Sequence, residues 1–159
     1  MLDTIDIAIL TALQENGRKR RNELAEEIGL SLPAISERLR KLEDRGYITR
    51  YAALLDAKKL GMDVTAFVMV SIDSSKHFEE FLKHVSQSPE IIECHAITGE
   101  GSHLLKIRTW NTASLEEILS AIQSWRGVLG TRTSVVLSTR KETLSIPIDP
   151  THHSEKETK

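Results

Sequence analysis

The chain has 159 residues, 40% hydrophobic and 28% charged, the make-up of an ordinary soluble protein of one domain or two small ones. No apolar run approaches the length of a membrane span, and the start, MLDTID, is acidic rather than signal-like, so a cytoplasmic protein without a membrane partner is expected. The formal net charge of -2 argues at first sight against nucleic acid, but Arg18, Lys19, Arg20 and Arg21 form a basic block, followed by Arg38, Arg40, Lys41, Arg45 and Arg50.

A first helix is expected from an Asp3 cap to about Glu15, with Ile5, Ile9, Leu10 and Leu13 on its apolar side and Asn16-Gly17 as its stop. The stretch NELAEEIGLSLPAISERLRKLEDR, residues 22–45, then holds two short amphipathic patterns separated by Gly29-Leu30-Ser31. Ala25, Gly29 and Ile35 stand at helix-turn-helix spacing: a small residue for a close crossing, a glycine for the left-handed turn, and an apolar anchor. Ser31 is a good cap for the second helix, and Pro33 is harmless in a first turn whose amides lack helical partners. Ile35, Leu39 and Leu42 make the inward stripe, which leaves Pro33, Glu37, Arg40, Lys41 and Asp44 outward, flanked by Ala34, Ser36 and Arg38. The residues expected to meet double-stranded DNA are Arg20, Ser31, Pro33, Ala34, Ser36, Glu37, Arg38, Arg40 and Lys41, with short side chains at the helix start permitting close approach and the basic ones reaching phosphate or a guanine edge. The competing reading is a helical hairpin with a solvated charged face.

After Gly46 the run YITRYAALL is β-prone and suits a short strand or wing, and Asp56 to Gly61 reads as a turn. The domain boundary is expected between Ala52 and Gly61, giving residues 1–61, 62–145 and a polar, proline-broken tail from 146 to 159 that is poorly ordered or lies against a neighbour. From Val64 the period is two. Ser74-Ser75 leads into a helix with Phe78, Phe81, Leu82 and Val85 on one side; strands are expected over Ile91–Thr98 and His103–Trp110 around a Gly99-to-Ser102 turn. A second helix opens at Asn111 to Ser114, with Ser114 and Glu117 at capping-box spacing and Leu115, Ile118, Leu119, Ile122 and Trp125 on one side. Gly127 and Gly130 end it, and Thr131–Thr139 supplies a fourth strand. The order β-α-β-β-α-β is the ferredoxin-like arrangement, so the fold class is α+β with a winged helix-turn-helix in front. Two helices cover one face of such a sheet, and Phe67 and Met69 leave the other partly apolar, which implies pairing with a second subunit.

LDTIDIAIL, NGRKRRNELAEEIGLS, AISERLRKLEDRGYI, YAALLDAKKLG, TGEGSHLLKI and GVLGTRTSVVL, taken together, resemble the leucine-responsive regulatory protein and AsnC (Lrp/AsnC) family of transcriptional regulators over about Leu2 to Leu144. The resemblance implies DNA binding by the N-terminal half and pairing by the C-terminal half into homodimers that assemble into tetramers or octamers. It also implies an amino acid or related small-molecule effector near the hairpin, at Thr98, Gly99, Glu100, Gly101, Ser102, His103 and Leu104, with Thr131 and Thr133 from the last strand. Many members carry an aspartate where Ser102 stands and an aromatic at position 101, so the effector's identity does not carry over. Read without the family, glycines 99 and 101 free amides for a ligand carboxylate and Glu100 attracts an ammonium, although a plain hairpin turn explains the same residues.

Cys94 is the single cysteine, read as a small buried hydrophobe ahead of a thiol sensor. Cys94 and His95 point to opposite faces of a strand, and His77 and His84 lie two turns apart, so no metal and no cofactor are expected. No nucleophile motif or phosphate loop is present. The runner-up from another class is a decarboxylase of modified haem precursors on a similar scaffold; the basic outer side of the reading helix and the TGEGSHLLK turn favour the regulator.

Overall fold

A computed structural model describes residues 2–149, and the chain divides into two compact units. One is formed by the chain as far as Leu54 together with the segment from Lys141 onward; the other is Leu55–Arg140.

The first unit is built on three helices, α1 (Thr4–Glu15), α2 (Arg21–Ile28) and α3 (Leu32–Asp44). At the head of α1 the Asp3 carboxylate accepts the Asp6 N–H at 2.8 Å, and Asp6 accepts the Asp3 N–H in return, which satisfies two amides that have no helical partner. Gly29 ends α2 in the left-handed region at φ 75°, the turn that the spacing of the motif demands. Ser31 Oγ accepts the Ala34 N–H to start α3. Ile9, Leu24, Ala25, Ile35, Leu39 and Leu42 are buried in one cluster, and the inward stripe of α3 is the one its periodicity predicts.

Two features of this unit differ from expectation. No strand or wing forms over YITRYAALL: the backbone from Thr49 to Asp56 has no regular structure, because a strand needs a neighbouring backbone and none lies alongside it among the described residues. Tyr51 anchors this stretch instead by donating its hydroxyl to Glu43 at 2.9 Å. The segment from Lys141 groups with the helical unit, and its described part docks on α1: Ile146 N–H donates to Gln14 Oε1 at 2.7 Å, Gln14 Nε2 donates to the Ile146 carbonyl at 3.0 Å, and Ile148 packs against the helical core. The tail, expected to be poorly ordered or to lie against a neighbour, is thus held on its own helical unit at Ile146 and Ile148, and the remainder from residue 150 lies outside the described residues.

The second unit contains β1 (Val64–Ile72), α4 (Phe78–Gln87), β2 (Ile91–Ala96), β3 (His103–Thr109), α5 (Thr112–Ser124) and β4 (Val128–Val135). Its antiparallel sheet has the order β2-β3-β1-β4, the ferredoxin-like arrangement. Ala66, Val68, Val70, Leu105 and Ile107 are buried on the helix-covered face against Phe81, Val85, Leu115 and Ile122. Leu82, placed by periodicity in the inward stripe, is 45% exposed; α4 is turned so that His84 stacks on Trp125 and Leu82 lies at the solvent edge. The cap of α5 sits earlier than expected, where Asn111 Oδ1 accepts the Ser114 N–H and Ser114 Oγ accepts the Asn111 N–H. The last strand is likewise earlier: Gly127, at φ 85°, closes the connection after α5, while Gly130 lies within β4 opposite Ser71. β2 stops at Ala96 and β3 at Thr109, each a little short of expectation.

Candidate DNA-reading helix and effector hairpin

On α3 the side chains divide cleanly. Ile35, Leu39 and Leu42 are buried; Ser31, Pro33, Glu37, Arg40 and Lys41 are exposed; Ala34 and Ser36 are half-buried. Ser31, Pro33, Ala34 and Ser36 give the first turns a low profile, so the backbone can come close to an opposing surface. Glu37 is the first charged side chain along this face. Its carboxylate accepts both Arg40 Nη2 at 2.9 Å and Arg40 Nε at 3.2 Å, and Lys41 Nζ stands 3.5 Å from the same group. Arg40 Nη1 also reaches Asp44 at 2.8 Å. The Arg40 hydrogen bond holds the Glu37 carboxyl below its usual range, and Glu37 in turn raises the Arg40 guanidinium.

Arg38 does not join the outward set. Its guanidinium turns back across the bundle to Asp3 and Asp6, at 2.7 Å each, and its pKa is raised first by Asp3 and then by Asp6. The sequence reading placed it among the DNA-facing residues because helical spacing puts it at the edge of the stripe; its partners come from the start of α1 and are invisible to that periodicity. Arg20 is also occupied: its backbone N–H and its Nε both donate to Glu23 at the head of α2. Lys19 pairs with Glu27 at 2.6 Å, whereas Arg18 and Arg50 make no ion pair among the described residues.

The hairpin between β2 and β3 is fixed by Ser102, whose N–H and hydroxyl both donate to the Val70 carbonyl, at 2.8 and 3.1 Å. Gly101 (φ 82°) must be glycine twice over, since a Cβ there would stand 2.6 Å from Met69 Cγ and 3.1 Å from the Val70 carbonyl. Thr98, Gly99 and Glu100 are exposed at the tip. The other predicted effector residues diverge. His103 is buried, with its ring 4.8 and 4.9 Å from Phe78 and Phe81, and burial lowers its pKa. Leu104 is paired with Met69 on the open face. Thr131 and Thr133 lie opposite Val70 and Val68, on the helix side, and Thr131 accepts a hydrogen bond from Gln123. His103, Thr131 and Thr133 are therefore not presented with the hairpin tip. Between the two threonines Arg132 points to the open face and pairs with Glu100. The sequence reading missed it, although strand alternation gives the signal: where two threonines face in, the residue between them faces out. Cys94 is half-buried against the core with its thiol pKa raised by burial, which fits the small hydrophobe rather than a reactive thiol. Among the described residues no helix is long and apolar enough to cross a membrane.

Residues 2–49 match the family model for a winged helix-turn-helix DNA-binding domain, and residues 65–146 match that for the Lrp/AsnC ligand binding domain. The chain belongs to the Lrp/AsnC family. Among its Lrp/AsnC relatives, the HTH-type transcriptional regulator FL11 of Pyrococcus horikoshii is 38% identical over 92% of this chain and 97% of its own. The leucine-responsive regulatory protein of Rhizobium meliloti is 35% identical, covering 92% and 96%. A solved Lrp/AsnC-like structure, a transcriptional regulator of Neisseria meningitidis in complex with L-Met, superposes with a TM-score of 0.89 at 38% identity over 92% of this chain and 97% of that one. AsnC of E. coli superposes at 0.86 with 29% identity over 92% and 99%. The protein is thus a DNA-binding transcriptional regulator of the Lrp/AsnC type with a ligand-binding C-terminal unit.

Proposed function

We propose that α3 enters the major groove of an operator, that two protomers present their α3 helices to successive half-sites, and that an amino acid bound at the hairpin end of the second unit biases the assembly. The observation that carries the DNA half is the division of α3 into a buried Ile35, Leu39, Leu42 stripe and an exposed face of short and charged side chains. Ser31, Pro33, Ala34 and Ser36 approach the groove floor; Glu37, Arg40 and Lys41 meet bases and phosphates; Arg20 meets phosphate beside α2. Arg38 is removed from the contact set and holds α3 to α1.

Pairing is supported by the sheet. Phe67 is 38% exposed on the face opposite α4 and α5, beside Met69 and Leu104, so a second copy laid on that face would bury them. The assembly is a homodimer or a multiple of it, up to a tetramer or octamer, working in the cytoplasm where its DNA lies. The effector reading rests on Glu100 and Arg132, a carboxylate and a guanidinium side by side at the hairpin, which match the ammonium and carboxylate of a free amino acid. The hairpin tip Thr98 to Ser102 borders them, and the L-Met bound by the Neisseria relative makes methionine the first amino acid to try.

The test is a gel shift with DNA from upstream of the protein's own gene, with and without a panel of amino acids that includes L-Met. A retarded complex whose mobility or affinity changes with one amino acid is the expected result; no complex at low salt would overturn the α3 assignment.

A further inference from the structure

The exposed face of α3 carries two cations, Arg40 and Lys41, and two carboxylates, Glu37 and Asp44, so its charge sums to zero. A helix meant only to hold phosphate gains nothing from those carboxylates. Affinity for arbitrary duplex DNA comes from cations that displace counterions, and each carboxylate held against the duplex subtracts from it. Glu37 is also well placed to act on bases: it is the first charged side chain on the face, one turn before Arg40, and the N-terminal part of a reading helix is what approaches base edges. As an acceptor without a proton to give, a carboxylate is suited to the cytosine N4 amino group and repelled by guanine O6 and N7. Resting on the major-groove reading of α3, we infer that Glu37 is the specificity-determining residue of this helix. On arbitrary sequence Glu37, with Asp44 as the second partner of Arg40, holds Arg40 and Lys41 on the helix; at an operator cytosine it transfers its hydrogen bonding to N4 and gives up its hold on both cations, which turn to phosphate.

The experiment selects duplexes from a random-sequence DNA pool with the full-length wild type, Glu37→Gln and Asp44→Asn, then measures affinity for the wild-type-selected duplex and for one fixed arbitrary duplex. Glu37 and Asp44 are exposed, and far-UV circular dichroism confirms that each variant folds. Glu37→Gln is expected to bind the arbitrary duplex about tenfold more tightly, to narrow the ratio of selected to arbitrary affinity by at least that factor, and to lose a cytosine preference at one position per half-site. Asp44→Asn removes the same charge near the far end of the helix, so it raises affinity for the arbitrary duplex and keeps the wild-type base preference. If the wild type enriches a sequence and Glu37→Gln enriches the same one at the same ratio, or Asp44→Asn changes the preferred base as much, the Glu37 role is overturned. If the wild type enriches no sequence, the major-groove reading itself falls, and with it the role that rests on it.

Discussion

Gly101 is where a single atom has the largest foreseeable effect. Gly101→Ala puts a methyl group 2.6 Å from Met69 Cγ on a backbone held at φ 82°, and so displaces the hairpin from β1; it should destabilise the second unit by about 1–3 kcal/mol, read as a lower urea midpoint. Gly99→Ala, where nothing lies within 4 Å, meets only the cost of positive φ and should lose about 1 kcal/mol. His103 sets a pH dependence. Its ordinary value of 6.5 is lowered by burial, so on acidification the unfolded chain takes up this proton first. Above 6.5 the group is neutral in both states; below it, stability falls until the lowered folded-state value is passed. Urea unfolding between about pH 5.5 and 7 should therefore show stability rising with pH, and His103→Gln should flatten that rise.

At the scale of the element, α3 is one helix with two kinds of arginine. Lys41→Ala and Arg40→Ala remove outward cations and, on operator DNA, should each reduce the slope of log affinity against log salt by about one, with thermal unfolding unchanged. Arg38→Ala should do the reverse, keeping the slope and lowering the melting temperature, because its partners are Asp3 and Asp6 rather than phosphate. A filter-binding salt titration beside a melting curve separates the two cases. The same contrast explains what the sequence disclosed. The stripe of Ile35, Leu39 and Leu42, the left-handed Gly29 and the β-α-β-β-α-β order are local patterns, legible from spacing within a dozen residues. Arg38 escaped because its carboxylates lie 35 and 32 positions away, and the docking of Ile146 on Gln14 because 132 positions separate them. The misplaced start of β4 has another cause: Gly130 was read as a stop, but strand pairing with Ser71 overrides the weak local preference of a glycine. In the candidate effector site the hairpin tip was legible and its ionic partner Arg132 was not, since the pairing depends on which strand neighbours which.

For the whole molecule, the uncovered sheet face and the returning C-terminal segment each make a prediction. Phe67→Asp places a charge at the centre of the open face without touching the buried Val68 or Ala66; it should leave circular dichroism unchanged, shift sedimentation towards a monomer, and weaken operator binding about a hundredfold through lost bivalency. Ending the chain at Arg140 should lower the melting temperature of the helical unit, since α1 loses both Gln14 hydrogen bonds and the cover of Ile148.

The return of that segment also sets an order of events at the ribosome. The helix-turn-helix emerges first, but the strap across α1 is translated only after the whole ligand-binding unit, so a nascent or prematurely terminated chain carries a reading head that has not yet been fastened. Production of the finished DNA-binding unit is thereby tied to completion of the ligand-binding unit.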